Sequence, residues 1–186
     1  MHTIRPWKIT RSERLGDFRV FRLRRDWKIS PRTNHELDFF ILECVNWVNV
    51  IALTPDRHLV MVEQYRHGSD SVELEIPGGV MDAEDASPEA TAAHELREET
   101  GYEGPKTQRI GQVFSNPAIM TNTTFTVLIE DCQLTHEVQF DHGEDLITRL
   151  VPVQEVPGLV ESGKIRHSLV VAALFYFDLW KRGRAE

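Results

Sequence analysis

The stretch from Glu73 to Gly101 constrains this chain more than any other. Glu73-Leu74-Glu75-Ile76 has the pattern of a short strand and runs into Pro77-Gly78-Gly79-Val80. Glycine carries no Cβ, so at such a turn the backbone can come close to a ligand. A polar loop follows, then Ser87-Pro88, an N-cap residue with proline at the first helical position. Residues 88–100 supply about three to four turns of helix, and Gly101 closes it as the C′ residue.

Strand patterns surround this unit. Residues 17–29 roughly alternate apolar and polar side chains, which predicts one or two exposed strands, and residues 30–34 form a turn cluster. Residues 37–43, 47–53 and 59–65 read as strands, with a tight turn at 54–57. Further strands are expected near 108–114, 123–130 and 146–152, a short helix and turn at 155–163, and a last helix at 167–181. Strands and helices mix without the regular alternation of a doubly wound sheet, which predicts an α/β sandwich with a mixed sheet.

Composition excludes several classes. With 186 residues, 41% of them hydrophobic and 27% charged, the chain fits one globular domain with a small appendage. Its formal net charge of -8 argues against a general nucleic-acid binder, which needs a basic surface. A small anionic substrate remains open, because a bound metal can reverse the local field. Cys44 and Cys132 lie in no CxxC pair and near no histidine at zinc-ligand spacing, so two free thiols of a reducing compartment are expected. The N-terminus has no apolar signal core, and the longest apolar stretch, residues 169–179, is too short to span a bilayer and carries Asp178. The expectation is a cytoplasmic chain that binds no membrane.

Glu95, Glu98 and Glu99 stand at i, i+3 and i+4, on one face of the helix. They repel one another, and the partial negative charge of the helix C-terminus adds to the cost. A solvated acidic face, with Arg97 as partner, is the plain reading of three such residues alone. A divalent cation resolves both repulsions, since magnesium prefers carboxylate oxygens, water and phosphate. The upstream glycine turn, whose carbonyl can join such a ligand set, makes the combination far more specific.

Residues 79–102 resemble the Nudix box, G-x5-E-x7-R-E-U-x-E-E-x-G-U, in which U is a bulky apolar residue. Residues 95–102, ELREETGY, match it from its second glutamate onward. Two features depart: His94 stands for the box arginine, and the spacing from Gly79 is one residue longer, so that Ala86 stands for the box glutamate beside Glu84 and Asp85. A bond from His94 to Asp85 or Glu84 is expected to replace the usual bracing pair. By the resemblance, Glu95 and Glu99 are metal ligands, Glu98 is a ligand, an outer partner or the base, and the Gly78 carbonyl is a further ligand. The implied cofactor is Mg2+, with Mn2+ as a substitute.

Trp47-Val48-Asn49-Val50, the segment from Glu63 to Gly68, the segment from Glu73 to Gly79, and Pro117, sixteen residues past Gly101, look like the ADP-ribose pyrophosphatase branch of that family. This resemblance implies a Nudix-type α/β/α sandwich over residues 46–186. Residues 1–45 would then supply N-terminal strands used in dimerisation, exchanged between subunits of a homodimer. It marks Arg66 as a diphosphate contact, Trp27 and Trp47 as stacking or packing residues, Arg32 as a further phosphate contact, and Pro117 as a substrate-loop residue. In the acidic run 141–145, Glu144 is implied as a metal ligand or general base, and His142 as the other candidate base. The implied reaction is metal-dependent hydrolysis of the diphosphate of nucleoside diphosphate sugars, ADP-ribose first. A broader hydrolase that takes GDP-mannose or dinucleotides is the rival reading. A non-catalytic ADP-ribose sensor would show a broken glutamate set or an added DNA-binding domain, and the sequence shows neither.

Overall fold

A computed structural model describes residues 3–81, 85–140, 143 and 145–183. Glu84, His142 and Glu144 lie outside the described residues. Contacts divide the chain into two compact units. One comprises Met1–Val45 with Phe114–Thr123, and the other Asn46–Val113 with Thr124–Glu186.

The N-terminal unit is an antiparallel meander of β1 (Lys8–Asp17), β2 (Arg22–Ile29) and β3 (Glu36–Glu43). The expected strand pattern over 17–29 is thus the end of β1 and the whole of β2. β1 starts far upstream of that expectation, and nearly all of it is exposed, so it carries no buried alternation to read. Asp26 is the buried exception in this sheet, held by Ser12 Oγ at 2.7 Å and Arg24 Nε at 2.9 Å. The Trp27 ring lies under the guanidinium carbons of Arg11 at 3.5 Å and Arg25 at 4.5 Å. Residues 116–121 run beside the end of β3, where Leu42 N–H donates to the Ile119 carbonyl and Thr121 N–H to the Leu42 carbonyl.

The larger unit contains β4 (Trp47–Leu53), β5 (His58–Arg66), β6 (Ser71–Glu75), α1 (Pro88–Thr100), β7 (Tyr102–Glu103), β8 (Lys106–Phe114, its last residue in the other unit), β9 (Thr123–Glu130, likewise its first), β10 (Gln133–Leu134), β11 (Leu146–Pro152), α2 (Val156–Glu161) and α3 (Ser168–Arg182). The main sheet runs β11-β5-β4-β9-β8, with β6 on β5. β4 and β9 are parallel, while β11, β4 and β6 meet β5 antiparallel, so the sheet is mixed. Period-two alternation along β4 and β5 sorts their side chains to two faces. Val50, Ala52 and Val60 pack with Ala92 and Leu96 of α1. Ile51, Leu53, Leu59 and Met61 pack with Val170, Ala173, Leu174 and Phe177 of α3. Each fully buried aliphatic chain of this kind contributes about 1.5–3 kcal/mol. Helices on both faces make an α/β/α sandwich, as expected. Among the described residues no helix is long and apolar enough to cross a membrane.

One feature of the sheet positions the site. β5 pairs with β4 only at Ala52–Val60 and Leu53–Leu59, and from Val62 onward it pairs with β6 instead. The chain after β6 fills the fork: Val50 N–H donates to the Pro77 carbonyl, Val48 N–H to Gly79, and Met81 N–H to Asn46. The glycine turn is therefore a member of the sheet as well as a bend. Gly78 is obligatory there, because a Cβ on it would strike the Val48 carbonyl oxygen.

Candidate active site at the glycine turn

α1 begins and ends on the residues that its sequence signals mark. Ser87 Oγ accepts from Ala90 N–H at 3.2 Å, Pro88 opens the helix, and Gly101 stops it in the left-handed region at φ 75°. Carbonyls at its C-terminus are satisfied by the segment after β10: Gln139 N–H donates to Glu98, and Thr135 and His136 N–H donate to Gly101. These donors offset the negative helix end next to the glutamates.

The three glutamates do not act alike. Glu99 is 3% exposed and accepts the Gly78 N–H at 3.1 Å. The Glu95 carboxylate lies against Gly79, where it occupies the space a side chain would need. Both thus turn back on the glycine bend. Glu98 instead pairs with His94, Nε2 to Oε1 at 2.9 Å, with both side chains about half exposed. Glu98 stands four positions on from His94 along the same helix; of the two partners expected for His94, Glu84 lies outside the described residues. Among the described residues no group of three or more His, Cys, Asp or Glu is gathered in metal-holding geometry.

Arg66 meets Glu75 side-on, Nε to Oε1 at 3.1 Å and Nη2 to Oε2 at 2.7 Å. Glu75 is buried, and His167 Nδ1 approaches its Oε2 to 3.3 Å. That approach lacks hydrogen-bond geometry and is an electrostatic contact. Burial pushes the Glu75 carboxyl up, but His167 and Arg66 outweigh it and hold the group below its usual range. Burial also works against the charge on Arg66, and the carboxylates of Glu75 and Glu99 more than restore it. Two residues before Glu75, on the same face of β6, buried Glu73 is gripped by Arg166 at 2.8 and 2.9 Å and by Ser71 Oγ at 2.6 Å. Glu73, Glu75, Arg166 and His167 are not among the residues marked from the sequence. The signal was present in the alternation of Glu73 and Glu75, which puts two acids on one face of a strand.

Trp47 begins β4 in the larger unit and pairs across to Val80. Trp27, Arg32 and Pro117 belong to the N-terminal unit. There Trp27 is in contact with the Arg11 and Arg25 guanidiniums, Arg32 lies exposed in the turn after β2, and Pro117 lies exposed in the turn from Asn116 to Met120.

The NUDIX domain family matches residues 45–174. The chain is similar to the ADP-ribose pyrophosphatase of Bacillus subtilis, at 29% identity over 133 residues and 71% of each chain. It is similar as well to that of Mycobacterium tuberculosis, at 27% identity over 164 residues, 88% of this chain and 79% of the other. The crystal structure of an ADP compounds hydrolase superposes on 100% of this chain and 99% of its own, with a TM-score of 0.87 at 20% identity, a likeness of fold. With a glycine turn that receives two glutamates of the helix behind it, inside an α/β/α sandwich matched along most of its length, the chain belongs to the NUDIX domain family.

Proposed function

We propose that this protein hydrolyses the diphosphate of nucleoside diphosphate sugars, with ADP-ribose as the preferred substrate, releasing a nucleoside monophosphate and a sugar phosphate. The observation that carries this reading is the return of Glu95 and Glu99 onto Gly79 and Gly78. Two carboxylates beside an open backbone suit Mg2+, which takes one or two protein carboxylates and completes its shell with water and substrate phosphate, without a closed protein cage. Glu95, Glu99 and the Gly78 carbonyl would hold the ion, with Glu98 as an outer partner, and the bound ion would neutralise phosphate charge and acidify water.

The chain's own groups do the rest. Arg66 binds a phosphoryl oxygen and offsets its charge. Glu144 takes the proton from the attacking water, with His142 or Glu98 as the other candidates. Trp47, Trp27, Arg32 and Pro117 are the proposed base, phosphate and sugar contacts. The homodimer formed through residues 1–45 and the cytoplasmic location belong to the same proposal. It is supported by the long exposed edge of β1, which needs a cover, and by two cysteines that form no disulfide. A panel of ADP-ribose, GDP-mannose, other nucleotide sugars and dinucleotides with Mg2+, read as released monophosphate, tests the reading. ADP-ribose should give the highest kcat/KM. A panel without turnover would refute the enzyme reading, and a preference for GDP-mannose would refute the substrate.

A further inference from the structure

Two alternate glutamates of β6 meet two consecutive residues at the head of α3: Glu73 the Arg166 guanidinium, and Glu75 the His167 imidazole. α3 is itself tied to β4, because Asn49 Nδ2 donates to the Leu169 carbonyl at 3.0 Å. His167, the residue before α3, therefore stands at a set place beside Glu75, and Arg66 donates to both carboxylate oxygens.

A guanidinium is planar and has two edges that can bind an oxyanion at two points, one through Nε and one through the two terminal nitrogens. Holding one edge fixes the direction of the other. Here Glu75 takes the Nε edge. The burial of the partners is unequal: the Glu75 side chain is 2% exposed, whereas that of Arg66 is 43% exposed. An ion pair that served only to close the core would hide both partners. This one hides the carboxylate and leaves much of the cation in the open.

Resting on the hydrolase reading above, we propose that Glu75 is a positioning residue, whose buried carboxylate locks the Nε edge of Arg66 so that the terminal Nη1/Nη2 edge is presented to the substrate's diphosphate. The reach of Arg66 is then set by β6 and the head of α3 and not by its own flexible stem. Glu75 touches no reacting atom, and its effect passes entirely through Arg66.

The test uses the full chain with Mg2+ and ADP-ribose. Glu75→Gln should raise KM about tenfold, the equivalent of one lost charge-assisted contact, while kcat changes by less than about threefold. In an Arg66→Gln background the same substitution should add less than about twofold, because the residue it acts through is gone. An equal KM rise in both backgrounds would overturn the proposal, as would a single variant with unchanged KM. If Glu75→Gln alone fails to fold, Arg66→Lys decides, since it keeps the charge but loses the planar edges. A rise of about tenfold supports positioning, and wild-type KM overturns it. A wild-type chain inert toward every nucleotide sugar overturns the hydrolase reading itself. An active wild type with additive variants overturns this proposal alone.

Discussion

Replacing Gly79 by alanine would set a methyl group into the space held by Glu95. The added Cβ would lie 2.5 Å from Glu95 Cδ and 2.8 Å from Oε2, with Oε1 closer still. An ordinary contact needs about 3.4–4 Å, so the carboxylate must retreat by about 1 Å or more, and a misplacement of that size at a reacting centre costs on the order of 100-fold in rate. The fold should tolerate the change, because the struck atoms are the end of a flexible side chain. Gly78→Ala is the contrasting case. Its Cβ would meet the Val48 carbonyl oxygen, with Val48 C and Asn49 Cα each at 3.2 Å, all of them backbone of β4. Relief there requires the sheet to move, at about 1–3 kcal/mol, which for a chain of this length lowers Tm by roughly 2–12 °C. Thermal unfolding followed by steady-state hydrolysis of ADP-ribose separates the two. Gly79→Ala should keep its Tm and lose kcat, whereas Gly78→Ala should lose Tm. A Gly79→Ala enzyme with wild-type turnover, or one that unfolds as readily as Gly78→Ala, would refute the assignment of that space to a working Glu95.

Glu99→Gln keeps an acceptor for the Gly78 N–H and should fold normally, yet lose about three orders of magnitude or more in kcat as a ligand charge disappears; turnover near that of wild type in Mg2+ would contradict its role. Arg166 and Ser71 hold Glu73 down to about 2 from an ordinary 4.5. A depressed carboxyl stabilises the fold fully above its unfolded value, and that contribution is lost as pH falls from 4.5 toward 2. Arg166→Met should flatten the fall of Tm across that window, and a curve parallel to wild type would show that the pair contributes nothing to acid stability.

The parts of the fold legible in the sequence were those with local signals. Ser87, Pro88 and Gly101 mark both ends of α1 because capping involves only neighbouring residues. β1 was illegible upstream of Asp17 because an edge strand with nearly all its residues exposed has no apolar face to alternate. The pairing of β4 with β9 in parallel could not be read either, since a register across that separation leaves no local mark. In the site, the glutamates of α1 were visible as a set, but their division was not: Glu95 and Glu99 go to the glycines and Glu98 goes to His94. The His94 partner could have been foreseen from its i, i+4 spacing. The partners of Glu75 could not, because His167 arrives from the far end of the chain.

The fork between β5 and β4 bears on how this family can vary in length. Met81 is pinned to the Asn46 carbonyl on one side of the loop, and Ser87 is pinned to the first turn of α1 on the other. The distances that matter to the glutamates are set by these two anchors and by the packing of α1 on β4, and not by the residue count between them. An extra residue between Gly79 and Glu95 therefore need not disturb the meeting of carboxylates and glycines. Relatives with longer or shorter loops at this point should keep their working register so long as both anchors survive.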